Sequence, residues 1–187
     1  YHILVLAPKS VEEWGNFPKL AFDLAEKYRM PAMILADGIL GQMMETMSFN
    51  FEPVDPNYLG KFDWAVDFYK NGRHKNNVFS YKVDGLMADV GERAKRYGLI
   101  EKNEPRFEAR QTEDCDVLLV AYGLSSRACL EAVVKGREEG LKVGLFRPIT
   151  LWPFPSEALK NAAQHAKAVL CVEHSLGQRT LIHKRRC

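Results

Sequence analysis

The sequence predicts an α/β fold, with a three-layer unit built on a mainly parallel sheet over residues 113–187. Three observations predict it. Residues 116–122, 142–146 and 168–173 are apolar runs, each of strand length. Two stretches with helical spacing separate them, an alternation that builds a parallel sheet from strand–helix–strand units. The first 37 residues repeat the strand–helix–strand order on a smaller scale.

The elements follow in order. Residues 1–7 form an apolar strand that Pro8 ends. Ser10 and Glu13 have capping-box spacing and mark a helix start. Leu20, Ala21, Leu24, Ala25 and Tyr28 then recur at helical spacing and predict one buried stripe. Pro18 lies inside this helix and is expected to kink or restart it. Residues 31–37 read as the next strand, which Gly38 breaks. From Gly41 to about Asn77 periodicity is lost, while Phe49, Phe51, Tyr58, Phe62, Trp64, Phe68 and Tyr69 load the stretch with aromatics. A disordered linker would lack them, so an ordered connection is expected. Helical spacing returns over 82–97, with Leu86, Val90, Ala94 and Tyr97 on one face. Residues 106–110 read as a short edge strand. After the strand at 116–122, the turn Gly123-Leu-Ser-Ser126 opens a helix with Cys129, Ala132, Val133 and Gly136 inward, and Gly140 stops it. Ser156 starts a last helix, with Leu159, Ala162, Ala163 and Ala166 inward.

Composition excludes several function classes. At 187 residues the chain allows one domain or two small ones and can bury a core without staples. A net charge of +2 gives no reason to invoke nucleic acid, and His183-Lys-Arg-Arg186 reads as a solvated tail. No apolar run approaches the ~18 residues of a membrane span. The opening run has no basic flank of a signal peptide and reads as a strand already under way, so a fragment of a longer polypeptide is expected. The four cysteines show no C-x-x-C spacing, which argues against a zinc or iron–sulfur site within the chain. Cys129 and Cys171 sit in apolar patterns as small buried hydrophobes, and free thiols suit a reducing cytoplasm. None of the five histidines has metal-ligand spacing.

Four constellations invite a functional reading. Gly123-Leu-Ser-Ser126 sits between strand and helix, where N–H groups attract phosphate. Its single glycine falls short of the dinucleotide fingerprint, which favours a plain turn over a flavodoxin-like nucleotide binder. Ser125 and Ser126 lack the context of a nucleophile elbow. Arg147-Pro-Ile-Thr-Leu-Trp-Pro-Phe-Pro155 carries three prolines in nine residues and reads as a stiff loop that cannot extend the sheet. It is a core-covering crossover, a preformed surface for a partner domain, or both. Asp37-Gly-Ile-Leu-Gly-Gln-Met-Met-Glu45 follows a strand's carboxyl end, the edge where ligands bind in open parallel sheets. Asp37, Gly41 and Gln42 are therefore candidate cofactor-pocket residues, with Met43 and Met44 as an adaptable apolar wall. An ordinary loop start is the competing reading.

These residues resemble the alpha-type subunit of the 2-oxoacid:ferredoxin oxidoreductases. Val120-Ala-Tyr-Gly123, Gly140-Leu-Lys-Val-Gly144, Arg147–Pro155 and Val172-Glu-His-Ser-Leu-Gly-Gln178 carry the likeness, joined by Ala21–Tyr28 and Asp37–Glu45, the last being most similar to the 2-oxoisovalerate (3-methyl-2-oxobutanoate) branch. The resemblance implies that residues 1–48 end a thiamine pyrimidine-binding-type domain, that 49–112 connect, and that 113–187 form a transketolase carboxyl-terminal-like domain. It implies oxidative decarboxylation of a 2-oxoacid with coenzyme A, giving acyl-CoA, with electrons passed to ferredoxin. Thiamine diphosphate with magnesium, and iron–sulfur clusters, are implied for the complex and none for this chain alone. Beta-type, gamma-type and ferredoxin-like subunits are the implied partners. The family's activating glutamate is expected upstream of Tyr1, so no catalytic residue is carried over. The tail from Arg179 to Cys187 departs from the family pattern. A non-catalytic module that docks subunits is the alternative.

Overall fold

The computed structural model describes residues 2–49 and 83–174. Packing divides the chain into one unit of residues 1–49 with 99–187 and another of residues 50–98.

In the first unit, β1 (Leu4–Leu6), α1 (Val11–Tyr28) and β2 (Ala32–Ile34) form the expected strand–helix–strand, with β1 and β2 parallel and Leu4 opposite Ala32. Ser10 caps α1 by accepting the Glu13 N–H at 3.2 Å, while the Glu13 carboxylate reaches back to the Lys9 N–H at 2.8 Å. The helix runs through Pro18 without a restart. Its buried stripe is Ala21, Leu24 and Tyr28, and the last two pack with Leu4 and Ile100 into a small core.

The second sheet has the order β3–β5–β4–β7: β3 is Phe107–Arg110, β4 Val117–Ala121, β5 Val143–Pro148 and β7 Ala168–Val172. β4 pairs in parallel with both β5 and β7, and the edge strand β3 is antiparallel to β5. One face carries α3 (Gly123–Glu138), burying Leu119, Ala121, Cys129, Val133 and Leu145. The other carries α4 (Ser156–Ala163), burying Cys115, Leu118, Val120, Phe146 and Leu159. This is the expected three-layer α/β unit, with a mixed sheet whose parallel pairs sit at the centre.

Four details depart from expectation. The proline-rich stretch does extend a sheet. Its residues Thr150–Trp152 form β6, antiparallel to β1, giving the first sheet the order β2–β1–β6. The prolines at 148, 153 and 155 flank this strand, so Ile149 and Thr150 keep the N–H groups that bond the Arg106 carbonyl. Ile149, Leu151, Trp152 and Phe154 are all half-buried, which fits the core-covering crossover. Second, α3 buries Cys129, Val133 and Gly136 as expected, with Ser125 and Ser126 a turn before them, but Ala132 faces solvent. Third, α2 (Val83–Asn103) is helical as expected, yet Leu86 and Val90 are 45% and 51% exposed. Spacing sets the helix; burial needs a second element against the stripe. Cys171, expected to be buried, is partly exposed, because β7 is the edge strand beyond β4. The aromatic-rich stretch from 50 and the basic tail lie outside the described residues.

Candidate functional site

The segment after β2 bends back over the starts of two helices. Asp37 accepts the Leu40 N–H at 2.8 Å through one carboxylate oxygen and the Leu124 N–H at 3.3 Å through the other. Leu124 is the second residue of α3, so this carboxylate sits where the turn at Gly123 would offer its amides to a phosphate. Gly123 takes a left-handed φ of 57°, which glycine adopts at little cost. Glu45 does the same for α1, accepting the Val11 N–H at 3.0 Å while Arg127 of α3 donates to it at 2.6 Å. These two contacts, the amide first, hold the Glu45 carboxyl below its ordinary value. The loop is thus a strap fastened by its own carboxylates.

The three pocket candidates therefore differ in place. Asp37 is a double cap. Gly41 lies against Trp14, where a Cβ would stand 3.2 Å from the ring. Gln42 is exposed in a short 3-10 turn, Leu40–Gln42, and its side chain makes no hydrogen bond to the described residues. Met44 is 98% exposed and lines no wall among the described residues. Replacing Asp37 with alanine is expected to destabilise the chain by about 0.5–2 kcal/mol, the range for a lost helix cap, read as a shift in the urea midpoint.

Beside the strap lies a charge cluster. Arg147 on β5 is 1% exposed. Its guanidinium makes a two-pronged pair with Glu13 and donates to the Ala7 carbonyl at 3.1 Å. One prong also lies 3.3 Å from Glu108 of β3, which Lys9 holds at 2.7 Å. Loop, helix and two strands therefore meet on one arginine. Burial pushes the Glu108 carboxyl up, but the Lys9 hydrogen bond and the fields of Arg147 and Lys9 outweigh it, and its pKa is lowered. A lowered folded pKa means stability that is present above the usual value of 4.5 and lost as pH falls through the folded one. Denaturation midpoints are expected to fall as pH drops below that value, and Glu108→Gln to flatten the fall.

Sequence spacing missed this cluster. Its signal was present: an arginine inside the buried run Gly144-Leu-Phe-Arg-Pro148 demands an opposite charge. The cluster borders a cavity of about 310 Å³ lined by Lys9, Ser10, Glu108, Arg110, Arg127 and Arg147, with α3 and Leu145 completing the wall.

Against known proteins, the same residues find clear counterparts. Residues 115–183 match the family pyruvate:ferredoxin oxidoreductase core domain II. The chain is 42% identical over 182 residues to the ketoisovalerate oxidoreductase subunit VorB of Methanothermobacter marburgensis, covering 95% of this chain and 50% of that protein. The chain belongs to the 2-oxoacid:ferredoxin oxidoreductase subunits. It is also 30% identical over 203 residues to the 2-oxoglutarate synthase subunit KorA of Methanothermobacter thermautotrophicus, covering 95% of this chain and 54% of that one. The chain thus spans about half the length of these relatives. In fold it is similar to the 2-oxoglutarate:ferredoxin oxidoreductase from Magnetococcus marinus, at a TM-score of 0.76 and 20% identity over 98% of this chain and 37% of that one. The motif that carried the resemblance, Arg147–Pro155, is the stretch that holds both the buried arginine and β6. Among the described residues no three His, Cys, Asp or Glu side chains gather as a metal site. Asp37 already accepts an amide of the first turn of α3. No helix among the described residues is long and apolar enough to cross a membrane.

Proposed function

We propose that this chain is part of an alpha-type subunit of a cytoplasmic 2-oxoacid:ferredoxin oxidoreductase that turns a branched-chain 2-oxoacid and coenzyme A into acyl-CoA. Ferredoxin takes the electrons. Thiamine diphosphate with magnesium, and the iron–sulfur clusters, belong to beta-type and ferredoxin-like subunits, with a gamma-type subunit completing the complex. Within it, residues 1–48 end a pyrimidine-binding-type domain, 49–112 connect, and 113–187 form the transketolase-like domain. Asp37, Gly41 and Gln42 lie on the wall of a pocket that another subunit completes, Asp37 by fixing the strap and Gln42 by its exposed side chain.

One observation carries the substrate: identity to the ketoisovalerate subunit is 42%, against 30% to the 2-oxoglutarate subunit. The physics agrees. No lysine or arginine lies between Asp37 and Asp55 to meet a second carboxylate, which would be costly to bury unpaired. The expected result on the assembled complex is a kcat/KM for 2-oxoisovalerate above that for pyruvate, by about 10–200-fold per added methylene at most, and far above that for 2-oxoglutarate. A preference for 2-oxoglutarate overturns the substrate reading. A complex that forms with this subunit yet turns over no 2-oxoacid favours a docking module instead.

A further inference from the structure

We propose that two copies of this chain pair through the outer edge of β7, strand against strand and antiparallel, across a two-fold axis at Leu170. Among the described residues β7 has β4 as its one neighbour, at the end of the sheet order. Val169 and Leu170 point to opposite faces and are 53% and 55% exposed. A strand apolar on both faces has the pattern of one buried within a sheet. The run Ala168–Val172 has no charge, no proline and no register shift against β4, the devices that keep an edge strand from pairing.

Backbone and charges select the same register. The Ala168 N–H bonds the Asp116 carbonyl, so Ala168, Leu170 and Val172 turn their backbone groups to β4. The direction alternates along a strand, so Val169 and Cys171 turn theirs to the outer edge. In an antiparallel pair, two outward-turned residues that lie opposite each other exchange both hydrogen bonds. A two-fold axis at Leu170 sets Val169 of each copy opposite Cys171 of the other. It also sets Lys167 opposite Glu173, since each lies three residues from Leu170. The Lys167 side chain is 77% exposed, with Asp116 of its own chain at 3.1 Å. Moving the axis to Val169 or Cys171 keeps the backbone bonds and loses both ion pairs. At the centre Leu170 meets Leu170, and opposite-charge and apolar cross-strand pairs both stabilise a seam. The joined sheet has eight strands, within the ordinary range. The axis uses the β7 edge of both copies, so the assembly closes at two.

The test is sedimentation of the full chain, kept reduced, from micromolar to millimolar concentration. A seam of one strand is small for a specific interface, so a reversible dimer is expected, half-formed on the order of 100 µM. Val169→Pro removes one outward N–H and leaves the bonds to β4 in place, a position edge strands tolerate. It is expected to weaken the dimer by about tenfold or more, because each dimer loses two hydrogen bonds. Thermal unfolding checks that the variant keeps its fold. Glu173→Lys sets like charges opposite each other and is expected to weaken the dimer by about fivefold or more. Adding Lys167→Glu to it is expected to restore most of that loss. A chain that stays monomeric at millimolar concentration overturns the proposal, and slow hydrogen exchange at Val169 in that monomer identifies the chain's own residues as the cover. A dimer unchanged by both Val169→Pro and Glu173→Lys overturns the β7 seam. A dimer weakened by Glu173→Lys and not recovered by the charge swap overturns the register.

Discussion

Arg147→Ala is expected to lower the unfolding free energy by about 3–5 kcal/mol, the range for removing one partner of a buried ion pair. The guanidinium is 1% exposed and serves Glu13, Glu108 and the Ala7 carbonyl at once. Alanine strips all three and leaves two carboxylates facing each other beside Lys9 alone. Arg147→Lys keeps the charge but cannot form the two-pronged pair, so an intermediate loss is expected. Arg147→Met with Glu13→Gln removes a charge of each sign and is expected to be milder than Arg147→Ala. Urea denaturation at neutral pH ranks the three variants. Equal stability of Arg147→Ala and the parent chain contradicts the role given to the cluster.

Gly144→Ala is expected to destabilise by about 3 kcal/mol or more, at the upper end for overpacking. The new Cβ would lie 2.6 Å from the Gln111 carbonyl oxygen and 3.0 Å from the Cys115 Cβ. Neither contact is the far end of a flexible side chain. Gln111 already has a φ of 53°, and its carbonyl accepts from Arg137 at 3.0 Å, so retreat would break a second interaction. Arg137 also pairs with Asp114 at 2.7 Å, which ties the whole turn before β4 to α3. Gly38→Ala is the control, because nothing lies within 4 Å of its added carbon. Thermal unfolding is expected to show a lowered midpoint for the first and little change for the second.

Legibility from sequence followed the type of interaction. Strands β4, β5 and β7 were readable because apolar runs bounded by Gly140 and charged residues permit little else. The capping pair Ser10 and Glu13 was readable because both partners lie within one turn. The mixed character of the second sheet was partly readable, since 106–110 stood out as an edge. The capture of Thr150–Trp152 by β1 was not, because pairing between residues some 145 positions apart leaves no local signature. For the candidate site, the loop was found and its internal use was not. Asp37 and Glu45 look like pocket polar groups in sequence, and the structure gives both their backbone partners on helices far along the chain. The Lys9–Glu13–Glu108–Arg147 cluster escaped for the same reason, with the lone arginine of β5 as its visible clue.

The stretch Arg147–Trp152 has a mechanical meaning. Six consecutive residues finish β5 of one sheet and form β6 of the other, with Arg147 held by α1 at the near end. Such a continuous splice leaves no slack for the two sheets to rotate or slide against each other. A displacement imposed on the outer edge of the first sheet would be carried to the second as a rigid-body step. Within this chain the two layers are then expected to move as one piece.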